Sequence, residues 1–128
     1  MNFLPINFVP KGWGWESWIV NKKEYCGKLL FFKRSKFCSF HYHKLKDETF
    51  YLQDGKLEVV WSHDDQFPDE DELRGGSPDR GLTILEPGDC FYVPPGLRHQ
   101  MRGIEDSLMI EFSTEHFEED SYRVVKGD

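Results

Sequence analysis

His41 and His43 stand two residues apart, Glu48 follows a short polar turn, and His99 comes much later, behind Pro94-Pro95-Gly96. On a β-strand, side chains two apart share a face. An H-x-H pair therefore aims two imidazoles at one point while Tyr42 faces the other way. Glu48, after the Lys44–Asp47 turn, can add a carboxylate from the adjacent strand, and His99 a third imidazole. Three nitrogens and one oxygen make a mixed donor set suited to Zn, Mn, Fe, Co, Ni or Cu. Such sites commonly leave a coordination position open to water or substrate. A lone H-x-H pair is weak evidence, because exposed histidines reach that spacing by chance; the later residues give it weight.

Strands must position these groups. Short runs rich in Phe, Val, Ile, Tyr and Trp recur with turn signals between them. Strands are predicted over Trp18–Asn21, Lys28–Lys33 with Tyr25 before it, Phe37–His43, Glu48–Leu52, Lys56–Trp61, Leu82–Leu85, Cys90–Val93, His99–Arg102 and Ser107–Ser113. Asp54-Gly55 reads as a hairpin turn between two of them. Glu115–Asp120 reads as a helical turn. Strands about ten residues apart without helical periodicity between them predict an all-β sandwich or barrel. The 128 residues form one domain.

Composition narrows the function. The net charge of -7 gives no basic face for nucleic acid. No apolar run is long enough to cross a bilayer. The N-terminal apolar residues are interrupted by Pro5, Asn7 and Pro10 with no basic segment before them, so a cytoplasmic protein is expected. Cys26, Cys38 and Cys90 are odd in number and lack C-x-x-C spacing, which reads as buried free thiols in a reducing compartment. The acidic stretch from Ser62 to Arg80 reads as a solvated loop without the residue order of a calcium loop. His63, at its start, is given no role. The tryptophans Trp13, Trp15, Trp18 and Trp61 read mainly as core or interface residues.

Read together, His41-x-His43-x4-Glu48-x6-Gly55 resembles the first cupin motif, and Gly88-x5-Pro94-x-Gly96-x2-His99 resembles the second. The resemblance implies a double-stranded β-helix, a jelly-roll barrel spanning residues 1–128. Motif 1 lies at about 35–55, the acidic inter-motif loop at about 62–80 and motif 2 at about 88–103. It also implies a divalent metal (Zn, Mn, Fe, Co or Ni) held inside by His41, His43, Glu48 and His99. Two positions depart from the family's pattern. Ser35 stands where a glycine is usual, and Gly103 where an asparagine is usual.

Further segments narrow the resemblance. They are Trp13-Gly14-Trp15-Glu16-x-Trp18, Tyr25-Cys26-Gly27-Lys28, Ile110-Glu111-Phe112-Ser113-Thr114 and Asp120-Ser121-Tyr122-Arg123. Together they are similar to the cupin domain of type II mannose-6-phosphate isomerases and related small sugar isomerases. That likeness implies a metal-dependent sugar or sugar-phosphate isomerase, in which the metal holds O1 and O2 and stabilises an enediolate. Glu111 is the expected base, its pKa raised by burial. Tyr92 is a second catalytic candidate, with Glu16 and His116 behind it. Lys44, Lys46, Arg98 and Arg123 are the expected substrate-binding cations, and Arg102 lies near them. A homodimer is expected, since small cupins often cover a sheet edge by pairing. The alternatives are another metal-dependent cupin enzyme, such as an Fe(II) dioxygenase, and a sugar-binding cupin without turnover.

Overall fold

The computed structural model describes residues 2–128. Its strands are β1 (Asn7–Lys11), β2 (Gly14–Asn21), β3 (Cys26–Phe32), β4 (Phe40–Tyr42), β5 (Glu48–Asp54), β6 (Leu57–Ser62), β7 (Arg80–Leu85), β8 (Cys90–Val93), β9 (Arg98–Gly103), β10 (Ser107–Ser113) and β11 (Tyr122–Val125). One sheet has the order β1-β2-β3-β10-β5-β8 and the other β11-β4-β9-β6-β7. Neighbouring strands are antiparallel throughout. The two sheets face each other as a jelly roll.

Period-two alternation builds the interior in layers. β3 turns Cys26, Lys28, Leu30 and Phe32 inward, β5 turns Glu48, Phe50 and Leu52, and β10 turns Ser107, Met109 and Glu111. Register places Met109 opposite Leu30 and Leu52, an apolar layer. The next layer sets Glu111 opposite Lys28 and Phe50. In the facing sheet, His99 lies opposite His41 and Trp61. The interior thus changes from hydrocarbon to charge along the barrel, and the chemistry collects at one end.

Asp54-Gly55 does not make a hairpin. β5 belongs to one sheet and β6 to the other, so the chain crosses between sheets there. Gly55 has φ 98°, and a Cβ on it would sit 2.4 Å from the Asp106 carbonyl oxygen. The Lys56 carbonyl accepts from the Ile104 and Glu105 amides and from the Ser107 hydroxyl. The glycine serves a crowded corner rather than a two-residue turn. A local turn signal cannot say which sheet the next strand joins.

Ser35 has φ 69°, in the left-handed region that favours glycine. Its amide is bonded to the Gly103 carbonyl, which holds the turn in place. Ser35→Gly should therefore stabilise the protein by up to about 1 kcal/mol, seen as a Tm rise of roughly 2–4 °C. An unchanged or lower Tm would mean that the turn stores no strain.

The acidic segment is more ordered than a solvated loop. It contains the helix α1 (Glu70–Leu73), closed by an Asp69/Glu72 capping box. Arg80 bonds Glu72 and Asp64, and Phe67 packs edge-on against buried Phe40. Cys26 and Cys38 are buried, and burial raises the pKa of both thiols, that of Cys38 to about 12. Cys90 is exposed, contrary to expectation, because its side chain lies on the outer face of β8. A helical turn does form at Glu118–Asp120.

Candidate functional site

β4, the residue after it and β9 bring His41, His43 and His99 together. One ring nitrogen from each lies within 4.8 Å of the others. Each Nδ1 is engaged by a backbone carbonyl: Ser39 for His41 at 2.8 Å, Asp120 for His43 at 2.8 Å, and Leu97 for His99 at 2.9 Å. A carbonyl only accepts, so every Nδ1 carries its proton and every Nε2 keeps its lone pair. Outer partners of this kind fix the tautomer and ring angle of metal-binding histidines. Burial lowers the pKa of all three; Lys46 adds to the effect in each, and the neighbouring imidazoles add to it for His41 and His99. His99 falls to about 4. All three are therefore neutral near pH 7, the state in which an imidazole can bind a metal.

Glu48, at the start of β5, is 2% exposed. Its Oε2 is 3.6 Å from His99 Nε2, and its Oε1 is 3.8 Å from His43 Nε2. Both separations are too long for hydrogen bonds. Oε2 is buried with no hydrogen-bond partner among the described residues. A buried carboxylate oxygen is rarely left orphaned. Its burial beside Glu111 raises the Glu48 pKa to about 8. Three neutral imidazoles facing an orphaned carboxylate oxygen fit a divalent cation, which would reverse that shift by its own charge.

Lys46 is also 2% exposed and organises the adjacent wall. Its Nζ lies 3.2 Å from Glu48 Oε1, 2.7 Å from Glu111 Oε2 and 3.0 Å from His116 Nδ1. These three contacts use all three ammonium donors, so Lys46 holds protein groups and is not a free cation for substrate. Ser113 donates to Glu111 Oε2 as well, at 3.1 Å, which leaves Oε1 of Glu111 for the cavity. Burial alone would raise the Glu111 pKa, as expected from its place between Ile110 and Phe112. The charges of Lys46 and Lys28 outweigh burial and lower it instead.

The remaining predicted residues divide between inside and outside. Glu16, His116 and Arg123 line the cavity. Tyr92 lies outside it, 55% exposed, with its hydroxyl bonded to Asp47. Lys44 sits over the Tyr122 ring, and Arg98 stacks on Tyr42 and bonds Asp65; neither lines the cavity. Arg102 pairs with Glu58 on the surface. Two organisers escape a reading by motif. The Asp120 carboxylate accepts from the Lys44, Leu45 and Lys46 amides and so shapes the loop between His43 and Glu48. Lys28 is a buried cation on the inner face of β3, and the alternation Cys26, Lys28, Leu30, Phe32 is the signal that would have found it.

The depressed imidazoles imply acid sensitivity. His99 and His116 fall from 6.5 to about 4 on folding. The unfolded chain binds protons between those values that the folded chain does not, so stability is lost as pH falls through that window. For His99 the loss at pH 5 is on the order of 2 kcal/mol. Glu48, raised from 4.5 to about 8, acts in the opposite direction over its own window. With His41 and His43 also lowered, the imidazoles outweigh it. The chelator-treated protein should therefore melt at a lower temperature at pH 5 than at pH 7. An equal or higher Tm at pH 5 would mean that the Glu48 proton dominates.

The family model described as Cupin matches residues 30–124, which contain both motifs and all four residues of the histidine–carboxylate cluster. The chain is a cupin. No curated protein sequence matches this cupin. Among solved structures it resembles the capsular polysaccharide assembling protein CapF from Staphylococcus aureus, with a TM-score of 0.75 and 17% identity over 94% of this chain and 33% of that one. It resembles KdgF from Halomonas sp. with a TM-score of 0.63 and 20% identity over 82% and 81% of the two chains. Oxalate decarboxylase from Bacillus subtilis gives 0.73 and 16% over 92% and 30%. The cupin thus spans about a third of CapF and of oxalate decarboxylase. Identities this low establish the shared fold. No helix among the described residues is long and apolar enough to cross a membrane.

Proposed function

We propose that this cupin is a metal-dependent aldose–ketose isomerase acting on an open-chain sugar or sugar derivative. His41, His43, Glu48 and His99 would hold the divalent ion. One observation carries the reading: a single cavity of about 340 Å³ joins the histidine–carboxylate cluster to the unbonded Oε1 of Glu111. That volume is at the small end of the roughly 300–1,000 Å³ typical of small-molecule sites. When bound, the ion supplies Lewis-acid polarisation of the adjacent substrate oxygens.

The chain's own residues then handle the proton. Glu111 Oε1 takes it from C2 and returns it to C1. Lys46 and Ser113 anchor Oε2, so the base keeps one orientation. The two lysines keep Glu111 ionised and ready to accept. His116 is held neutral, with its pKa lowered to about 4, and forms part of the wall. Arg123 at the cavity wall is the remaining candidate of the expected substrate cations. A homodimer belongs to the same reading: Phe3, Leu4, Ile6 and Phe8 are exposed in and before edge strand β1, an apolar run that a second copy would cover.

The test combines metal analysis with proton exchange at C2 of aldoses and their phosphates in deuterated water. Metal-dependent exchange supports the reading, and Glu111→Gln should lower its rate by at least about a hundredfold. Stoichiometric metal with no exchange across the panel would overturn the isomerase reading.

A further inference from the structure

Lys28, which helps to keep Glu111 ionised, is a buried cation whose hydrogen-bond donors the preceding proposal leaves unused. It is 2% exposed and lines the same cavity. Its nearest carboxylate oxygen is Glu16 Oε1 at 3.7 Å, beyond hydrogen-bond distance. That oxygen is already bonded by the Trp18 indole at 2.6 Å. The ammonium stands 4.1 Å from the centroid of the Trp18 ring, which supplies cation–π attraction and accepts no conventional hydrogen bond. Among the described residues, none accepts a hydrogen bond from Lys28 Nζ. The contrast with Lys46, whose three donors are all used, is direct. An ammonium carries three donors, and those of Lys28 open on the cavity, where a ligand can take them.

The charge balance of the interior agrees. The buried charges that line the cavity, Lys28 and Lys46 against Glu48 and Glu111, balance. A divalent ion at the histidines leaves positive charge in excess, which favours an anionic ligand. Burial and the Lys46 charge push the Lys28 pKa below the ordinary lysine range, as for a cation awaiting a counter-ion.

Resting on the isomerase reading, we propose that Lys28 receives the carboxylate of the substrate, so that the substrate class is a polyhydroxylated carboxylate, a sugar acid. Its hydroxyl-bearing carbons lie toward the histidines, and its carboxylate lies against Lys28 with the Trp18 face beside it. A hydroxyl of an uncharged sugar can accept from the ammonium but brings no counter-charge, and a carboxylate makes the stronger, charge-assisted bond, which makes Lys28 the specificity-determining residue.

Calorimetric titration of the metal-loaded full chain tests this, with gluconate as the six-carbon carboxylate probe and glucitol as its uncharged counterpart. The expected result is gluconate binding at least tenfold tighter than glucitol. Lys28→Met should remove that preference while leaving metal content and Tm near wild type, and Lys28→Arg should restore most of it. Equal binding of the two probes by wild type overturns the proposal, as does gluconate affinity unchanged in Lys28→Met. Should Lys28→Met fail to fold, Lys28→Gln and the wild-type preference decide in the same way. The two readings fail separately. A Lys28-dependent gluconate preference without proton exchange on any aldose or uronate keeps the sugar-acid site and removes the isomerase. Exchange on neutral aldoses without a gluconate preference does the reverse.

Discussion

His99→Ala, purified from metal-supplemented culture, is expected to carry almost no tightly bound divalent ion, and His41→Ala the same. Loss of an outer-shell partner typically weakens a metal site about 10–100-fold, and loss of a ligand itself should exceed that. Three features of the site make the expectation strong. Each imidazole is held by a backbone carbonyl that no substitution elsewhere replaces. Glu48 Oε2 has no other partner among the described residues. Among the described residues the cluster holds only the three histidines, and Cys38, which lines the same cavity, is a poor substitute ligand: burial pushes its thiol pKa up to about 12, and its Sγ accepts from the Met101 amide. His99 is 1% exposed, so the alanine also leaves a void. His99→Gln fills that space and separates ligation from packing. Elemental analysis after dialysis against a weak chelator gives the answer. Stoichiometric metal in both alanine variants would remove the ligand assignment altogether.

Why the histidines were legible while their surroundings were not follows from the range of each signal. His41-x-His43 needs only the two-residue period of a strand, and His99 follows a turn that its own Pro94-Pro95-Gly96 announces. The layer below is set by register between strands distant in sequence. Lys28 and Glu111 meet because β3 pairs with β10, and nothing local to either residue says so. The same limit explains Asp54-Gly55. Its dipeptide signals a turn, but whether β6 pairs with β5 or joins the opposite sheet depends on β9 and β7. β1 and β11 went unread for a different reason. β1 contains Pro10 and exposed positions at a sheet edge, and β11 alternates Tyr122 and Val124 with exposed Arg123 and Val125 in four residues. Edge strands bury little, so they show little hydrophobic pattern. Tyr92 illustrates the opposite hazard: a chemically capable side chain on a strand still has an even chance of facing out.

Removing Lys46 should have the second large effect. Lys46→Met leaves Glu48 and Glu111, both nearly fully buried, without the cation that lies 3.2 and 2.7 Å from their oxygens. Breaking a buried ion pair by deleting one partner typically destabilises by about 3–5 kcal/mol, and urea unfolding of the metal-free protein at pH 8 should show a loss of that order. Two consequences separate this from simple loss of packing. Two carboxylates without a cation favour sharing a proton, so a carboxyl pKa rises further above its unfolded value. A group with a raised folded pKa contributes stability that is lost as pH rises, so the variant's deficit against wild type should shrink between pH 8 and pH 5. A divalent ion restores positive charge beside Glu48, so metal should raise the variant's stability more than the wild type's. Lys46→Met combined with Glu111→Gln removes the repulsion and should recover much of the loss, with a coupling energy well above the few tenths expected of independent sites. A deficit below about 1 kcal/mol at pH 8, or one that does not change with pH or metal, would mean that Lys46 fills space and does not hold the two carboxylates in place.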